Sequence, residues 1–148
     1  MSVRALLLTT HRHLGKEVQS ALVELTDTHL LYCASTIDER PLREVAIHVE
    51  RPVLAATAIV VGQPWPARPT LPTSVAALQV LLADMAQQVE IWLAATSEES
   101  LVQPVTLRWG EFATGADALV NALTHGFVHV GALRGIRAMG GFPTPAVE

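Results

Sequence analysis

The sequence predicts an all-α fold, a four-helix bundle. Three observations carry that expectation. Four long segments return apolar residues every three or four positions, they are joined by one short and two longer connections, and the single short extended stretch has no partner with which to form a sheet. With half of its 148 residues apolar, the chain is long enough to bury a core without disulfides.

Each element follows in order. Ser2 is placed to cap a first helix running to about Glu24, with core positions Leu7, His11, Leu14, Val18, Leu22 and Leu25. Thr26 to Glu39 sets polar turn residues around a small apolar patch, Leu30 to Cys33, and reads as a connection. The second helix begins near Pro41, whose missing N–H costs nothing in a first turn, and continues to about Val61. Pro52 falls inside it, its ring crowding the His48 carbonyl four residues back, which predicts a kink. Gly62 to Pro72, with Pro64, Pro66 and Pro69, excludes regular helix and central strand and is a crossing loop.

The third helix runs from Thr73 or Ser74 to Ala95, carrying Val75, Leu78, Leu82, Met85 and Val89 at helical spacing. Thr96 to Phe112 reads as irregular, with Val105 to Trp109 briefly extended. The fourth helix has the clearest start, a T-x-x-D pattern at Thr114 and Asp117. It extends to about Met139, where Arg134 and Arg137 oppose the negative end of the dipole, and Gly140-Gly141 with Pro143 and Pro145 stop it. A single domain, residues 1–148, is expected.

Composition excludes several function classes. Net charge is -4 and the ten basic residues are spread thinly, so the clustered basic face that displaces phosphate counterions is missing and no nucleic acid is expected. The longest apolar run, Val53 to Gly62, is about half of a membrane span. The chain does not open with a secretory signal pattern, and its one cysteine, Cys33, cannot form an internal bridge. A cytoplasmic protein is the expectation. Cys33 also lacks any local basic or helix-start signal that would lower its pKa toward nucleophilic use.

The chemistry lies in the histidines. His125 and His129 form H-x-x-x-H in the fourth helix, so both imidazoles fall on one face, one turn apart. Their stripe, Ala118, Ala122, Ala132, Ile136 and Met139, otherwise faces the core, and its alanines leave room beside the rings. Two imidazoles meeting in an apolar interior are costly unless a proton or a metal joins them, although hydrogen-bonded core histidines explain many such pairs. His48, mid-helix among Leu42, Val45, Val49 and Val53, is the best-placed third ligand. Three neutral imidazoles leave a coordination position open, and imidazole suits zinc, nickel, iron or copper.

At these residues the chain resembles the DinB-like superfamily. Its fourth-helix text, "HGFVHVGALRGIRAMGGFPTP", is similar to the family's last helix at His125, His129, Gly131, Arg137, Gly140 and Pro143. "PLREVAIHVERP" looks like the family's second helix, with His48 in the place of the third metal ligand, and "LTDTHL" and "TSEESL" resemble its inter-helix turns. The resemblance implies an up-down-down-up order with a long crossover, a divalent metal (commonly nickel or zinc) on His48, His125 and His129, and frequently a homodimer. It departs at Val130, commonly arginine, and at Ala132, commonly glutamine.

Other residues have two readings each. His11 either lines the pocket, up to a fourth ligand, or is a hydrogen-bonded core histidine. Glu44 and Asn121, each one turn before a ligand, either orient that imidazole or sit on the surface. Gly126, Gly131 and Gly135 point to close helix approach, within the bundle or across a dimer, and Trp65, Trp92 and Trp109 to pocket walls or packing. The function expected is a metal-dependent enzyme on a small molecule, either a thiol transferase or isomerase or a hydrolase. A low-molecular-weight thiol would need a cationic pocket from Arg43, Arg51 or Arg137. The alternatives are a non-catalytic binder of a small stress-related ligand and a purely structural bundle.

Overall fold

A computed structural model describes residues 1–146, so the last two positions of the expected 1–148 domain lie outside the described residues. Most of the chain is in four long helices: α1 (Val3–Ala21), α2 (Leu42–Val60), α3 (Val75–Ala95) and, after two shorter motifs, α5 (Gly115–Met139). Three of the four start where a side-chain oxygen satisfies an orphan N–H group of the first turn, and α2 starts after Pro41, without a side-chain cap bond. Ser2 Oγ accepts from the Ala5 N–H, Ser74 Oγ from Ala77 and Thr114 Oγ1 from Asp117, at 3.1, 3.1 and 3.0 Å. The ends are set by backbone chemistry. α1 stops three residues before Glu24, which adopts φ 59, a left-handed conformation that closes the helix. α2 continues unbroken through Pro52.

Two connections hold more order than periodicity could reveal. Between α1 and α2 a short 3-10 helix, Asp27–Leu31, buries Leu30. The stretch expected to be irregular forms a one-turn helix, α4 (Glu98–Val102), followed by a hairpin of β1 (Val105–Leu107) and β2 (Gly110–Phe112). The strands are antiparallel, Val105 opposite Phe112 and Leu107 opposite Gly110. This corrects the expectation of a lone extended stretch. Ser97 caps α4 through the Ser100 N–H, Glu98 and Glu99 favour its positive end, and buried Leu101 and Leu107 anchor the segment. Three-residue strands are too short to show a period.

α1 packs against α3 and α5, α2 packs against the same two helices, and α1 and α2 touch little. The core therefore fills the space between all four, through Leu14, Val18, Val49, Val53, Leu82, Val89, Leu119 and Leu133. α2 is the most enclosed, with Leu42, Val45, Ala46, Val49, Val53 and Ala56 all fully buried. Among the described residues no helix is long and apolar enough to cross a membrane.

Arg137 lies in the last turn of α5, as the sequence suggests, and does more than oppose the dipole. It is 2% exposed, and its guanidinium donates to the carbonyls of Ala21 (2.8 Å), Val23 (2.7 Å) and Phe142 (3.1 Å). It ties the carboxyl end of α1 to the chain after α5 and cannot also serve a substrate pocket.

Of the three unusual helix glycines, one is required by packing in full. A Cβ on Gly126 would lie 2.7 Å from Leu14 Cδ2 and 2.9 Å from the Val49 carbonyl oxygen. On Gly135 it would press on Ile37 Cδ1 at 3.1 Å, and on Gly131 it would meet nothing within 4 Å, so close approach within the chain does not explain that residue. Alanine at 126 gains about 1 kcal/mol of helix propensity but meets a backbone oxygen that cannot move aside. Gly126→Ala should therefore lower stability by about 1–3 kcal/mol in urea unfolding, while Gly131→Ala raises it by up to about 1 kcal/mol. Equal effects at the two positions would contradict this packing.

Candidate metal centre

His48 projects from the middle of α2, and His125 and His129 from successive turns of α5. The pairing of these helices at Val49 and Gly126 puts the residue before each, His48 and His125, on the same side of the contact. One ligand nitrogen from each of His48, His125 and His129 lies within 4.8 Å of the others. The rings are steeply inclined, not stacked: His48–His129 centroids are 4.6 Å apart at 64°, and His125–His129 4.9 Å at 84°. His48 and His125 are 6.1 Å apart at 68°. Two ligands of one ion lie at most about 4.2 Å apart, twice a metal–nitrogen bond of about 2.1 Å. At most a small rotation closes the cluster, and exposed His125 is free to make it.

The cluster is shallower than a core-facing stripe implies. His48 and His129 are half-buried and His125 is exposed, so the rings sit at the mouth of a cleft between α2 and α5. His129 Nε2 is buried with no hydrogen-bond partner. A buried lone pair of this kind is costly unless something fills it, and it belongs to the same cluster.

Electrostatics favour the neutral forms of His48 and His129. Burial, then the charge of Arg40, then the neighbouring His129 and His125 push His48 down to about 4. Burial and His125 lower His129 as well. Arg40 is held in place by Asp38 through bonds of 3.0 and 2.8 Å, and those bonds bring Asp38 down to about 2. The sequence reading missed this pair, which lies in the loop before α2. The one signal was an acid and a base two residues apart just ahead of Pro41.

The flanking residues divide. Asn121 does not orient a histidine: its Oδ1 accepts from Trp109 Nε1 at 3.0 Å. That bond holds Trp109 as one wall of a cavity of about 300 Å³, shared with His48, Pro52, Ala122 and His125. Glu44 lines an adjoining cleft with His48 and Arg40. Trp65 packs edge-on to Trp109 at 5.7 Å, so two of the three tryptophans are pocket walls, while Trp92 is half-buried on α3. Val130 is core and Ala132 half-buried.

His11 lies outside the cluster. It is 1% exposed, and its Nε2 stands 2.9 Å from Oε2 of Glu50, which is fully buried on α2. The hydrogen-bonded core reading holds, and the fourth-ligand reading does not. Glu50 itself went unnoticed in the sequence, where an acid among valines and alanines on a buried helix was the available signal.

The chain matches no family model and no curated protein. The case for function rests on the site.

Two measurements check it. In metal-free protein the unfolded chain, with histidines near 6.5, takes up protons before folded His48 does at about 4. The unfolding free energy should hold above pH 6.5 and fall as pH drops toward 4, less steeply in His48→Gln. A flat profile in wild type would contradict a neutral, half-buried His48. Separately, Glu50→Ala leaves His11 Nε2 without its partner in the core and should cost about 1–3 kcal/mol without altering the metal content of the folded protein.

Proposed function

We propose that the chain is a metal-binding helical bundle of DinB-like type whose His48, His125 and His129 hold one divalent transition metal. The observation that carries this is the convergence of three imidazole nitrogens from two helices around a buried, unpartnered Nε2. The donor set fits: three neutral nitrogens, no carboxylate and no thiolate, which suits zinc or nickel and leaves positions open. The up-down-down-up order also belongs to this reading. It is supported by Arg12–Glu90 and Gln19–Gln79, which run in opposite senses along α1 and α3. Leu14–Gly126 and Ala21–Arg137 run in the same sense along α1 and α5, and Val49–Gly126 and Val60–Gly115 run oppositely along α2 and α5.

The reaction class we favour is metal-dependent transfer, isomerisation or hydrolysis on a small molecule, with a low-molecular-weight thiol among the possible substrates. Bound at this site, a divalent ion supplies Lewis acidity toward a substrate oxygen or sulfur. The chain does the rest. His48 and His129, lowered by burial, present lone pairs rather than protons at neutral pH, Trp109 and Pro52 wall one side of the cavity, and Asn121 fixes the indole. Of the three arginines considered for a thiol pocket, Arg51 borders the cluster, whereas Arg43 donates to the Pro72 carbonyl at 3.0 Å and Arg137 is structural.

A non-catalytic small-ligand binder is the second reading, favoured by a cavity walled by Pro52, Ala122 and Trp109. Exposed Val120 and Val128 on α5, with open space at Gly131, support a homodimer through that helix, and the lone thiol of Cys33 suits a cytoplasmic setting.

Elemental analysis of untagged protein, purified without a nickel column, tests the centre. One equivalent of transition metal in wild type and none in His125→Ala is expected, with chelation lowering the melting temperature of wild type alone. Failure to take up zinc, nickel, iron or manganese would remove the metal from the account.

A further inference from the structure

Nine arginines are distributed along the chain, and six of them have partners. Arg12, Arg40 and Arg134 pair with Glu90, Asp38 and Glu17. Arg4, Arg43 and Arg137 donate to backbone carbonyls of Thr96, Pro72 and Ala21. Arg51, Arg68 and Arg108 have none among the described residues, although acids outnumber bases 14 to 10.

These three arise from separate parts of the chain: α2, the proline-rich crossover and the hairpin turn. They nevertheless meet beside one ligand. Arg51, Arg68 and Arg108 line a cleft with His48, Trp65 and Trp109. Arg108 stacks on the Trp65 face at 4.3 Å, which fixes its plane. Their charges repel: besides partial burial, Arg68 and Arg108 lower the pKa of Arg51. Three unpaired guanidinium groups gathered in one cleft of a chain with spare acids concentrate positive charge there, which is the setting that attracts an anion.

We propose that this cleft is an oxyanion subsite, and that the substrate or ligand of the histidine centre is a small carboxylate- or phosphate-bearing molecule with an apolar portion. The planar donors of Arg51, Arg68 and Arg108 take the oxyanion. The apolar portion lies in the adjoining cavity of about 300 Å³, against Pro52, Ala122 and Trp109. The assignment rests on the histidine cluster being the functional centre, and it adds the charge and shape of what enters.

The test titrates phenyl phosphate, phenylacetate and uncharged benzyl alcohol into the full chain, chelated and metal-loaded, by calorimetry and tryptophan fluorescence. At least one of the two anions should saturate, with quenching from Trp65 and Trp109, and bind at least about tenfold more tightly than benzyl alcohol. Whichever anion binds better distinguishes phosphate from carboxylate. Arg51→Gln and Arg68→Gln should each weaken the anion about tenfold, and Lys16→Gln, remote from the cleft, should not. Arg68 is exposed and without partners, so its variant folds and keeps the test decisive. Anion binding that is absent, or that is indifferent to both arginine variants, overturns the proposal. Metal content measured on the same samples separates the two claims: anion binding without metal uptake sinks the metal centre alone, and metal uptake without anion binding sinks the subsite alone.

Discussion

The close approach of α2 and α5 at Val49 and Gly126 is the constraint on which the rest of the structure depends. Only a residue without a Cβ lets the α5 backbone come this near the Val49 carbonyl, and Leu14 of α1 fills the third side of the same contact. Because His48 and His125 each immediately precede one of these contact residues, the helix spacing that makes the core also sets their separation. Helical periodicity then brings His129 in one turn later. Packing and site geometry are one fact here. A change that widens the helix pair disperses the histidines even if it leaves them untouched.

Electrostatics are divided between the two sides of α2 in a way that keeps two histidine environments distinct. Toward α1, Glu50 meets His11 in full burial, a pair closed off by the core. Toward the cleft, the nearest strong charges are Arg40, held by Asp38, and the unpaired arginines beyond it. The first setting gives a histidine a carboxylate partner and so a structural role. The second gives His48 no carboxylate hydrogen bond among the described residues and sets Arg40 near it, which together with burial favours its neutral form. The same residue type is thereby a brace on one side of the helix and a candidate ligand on the other.

The parts of this molecule legible in the sequence were those written in long-range periodicity and capping chemistry. The four long helices begin where Ser2, Pro41, Ser74 and Thr114 suggested, three because orphan N–H groups in a first turn must be satisfied locally and few residue types do so, and α2 because proline suits a helix start. The H-x-x-x-H pair was legible for the same reason, and His48 was reached because it sat at a core-adjacent position of another helix. What escaped was tertiary. The hairpin at Val105–Phe112 is too short to carry a period, Arg137 differs from a surface arginine only through carbonyls over a hundred residues away, and Glu50 gains its partner from α1. The gathering of Arg51, Arg68 and Arg108 is of this kind, since nothing in their spacing links them.

That last point bears on how the cleft is built. The histidines come from the rigid helix pair, where a position can be held by packing on several sides. Two of the three arginines come from connections, the crossover stiffened by Pro64, Pro66 and Pro69 and the turn braced by Trp109 on Asn121 and by Arg108 on Trp65. Helices fix the histidine cluster, and loops supply the charge around it, a division that lets the lining of the cleft change without disturbing the core.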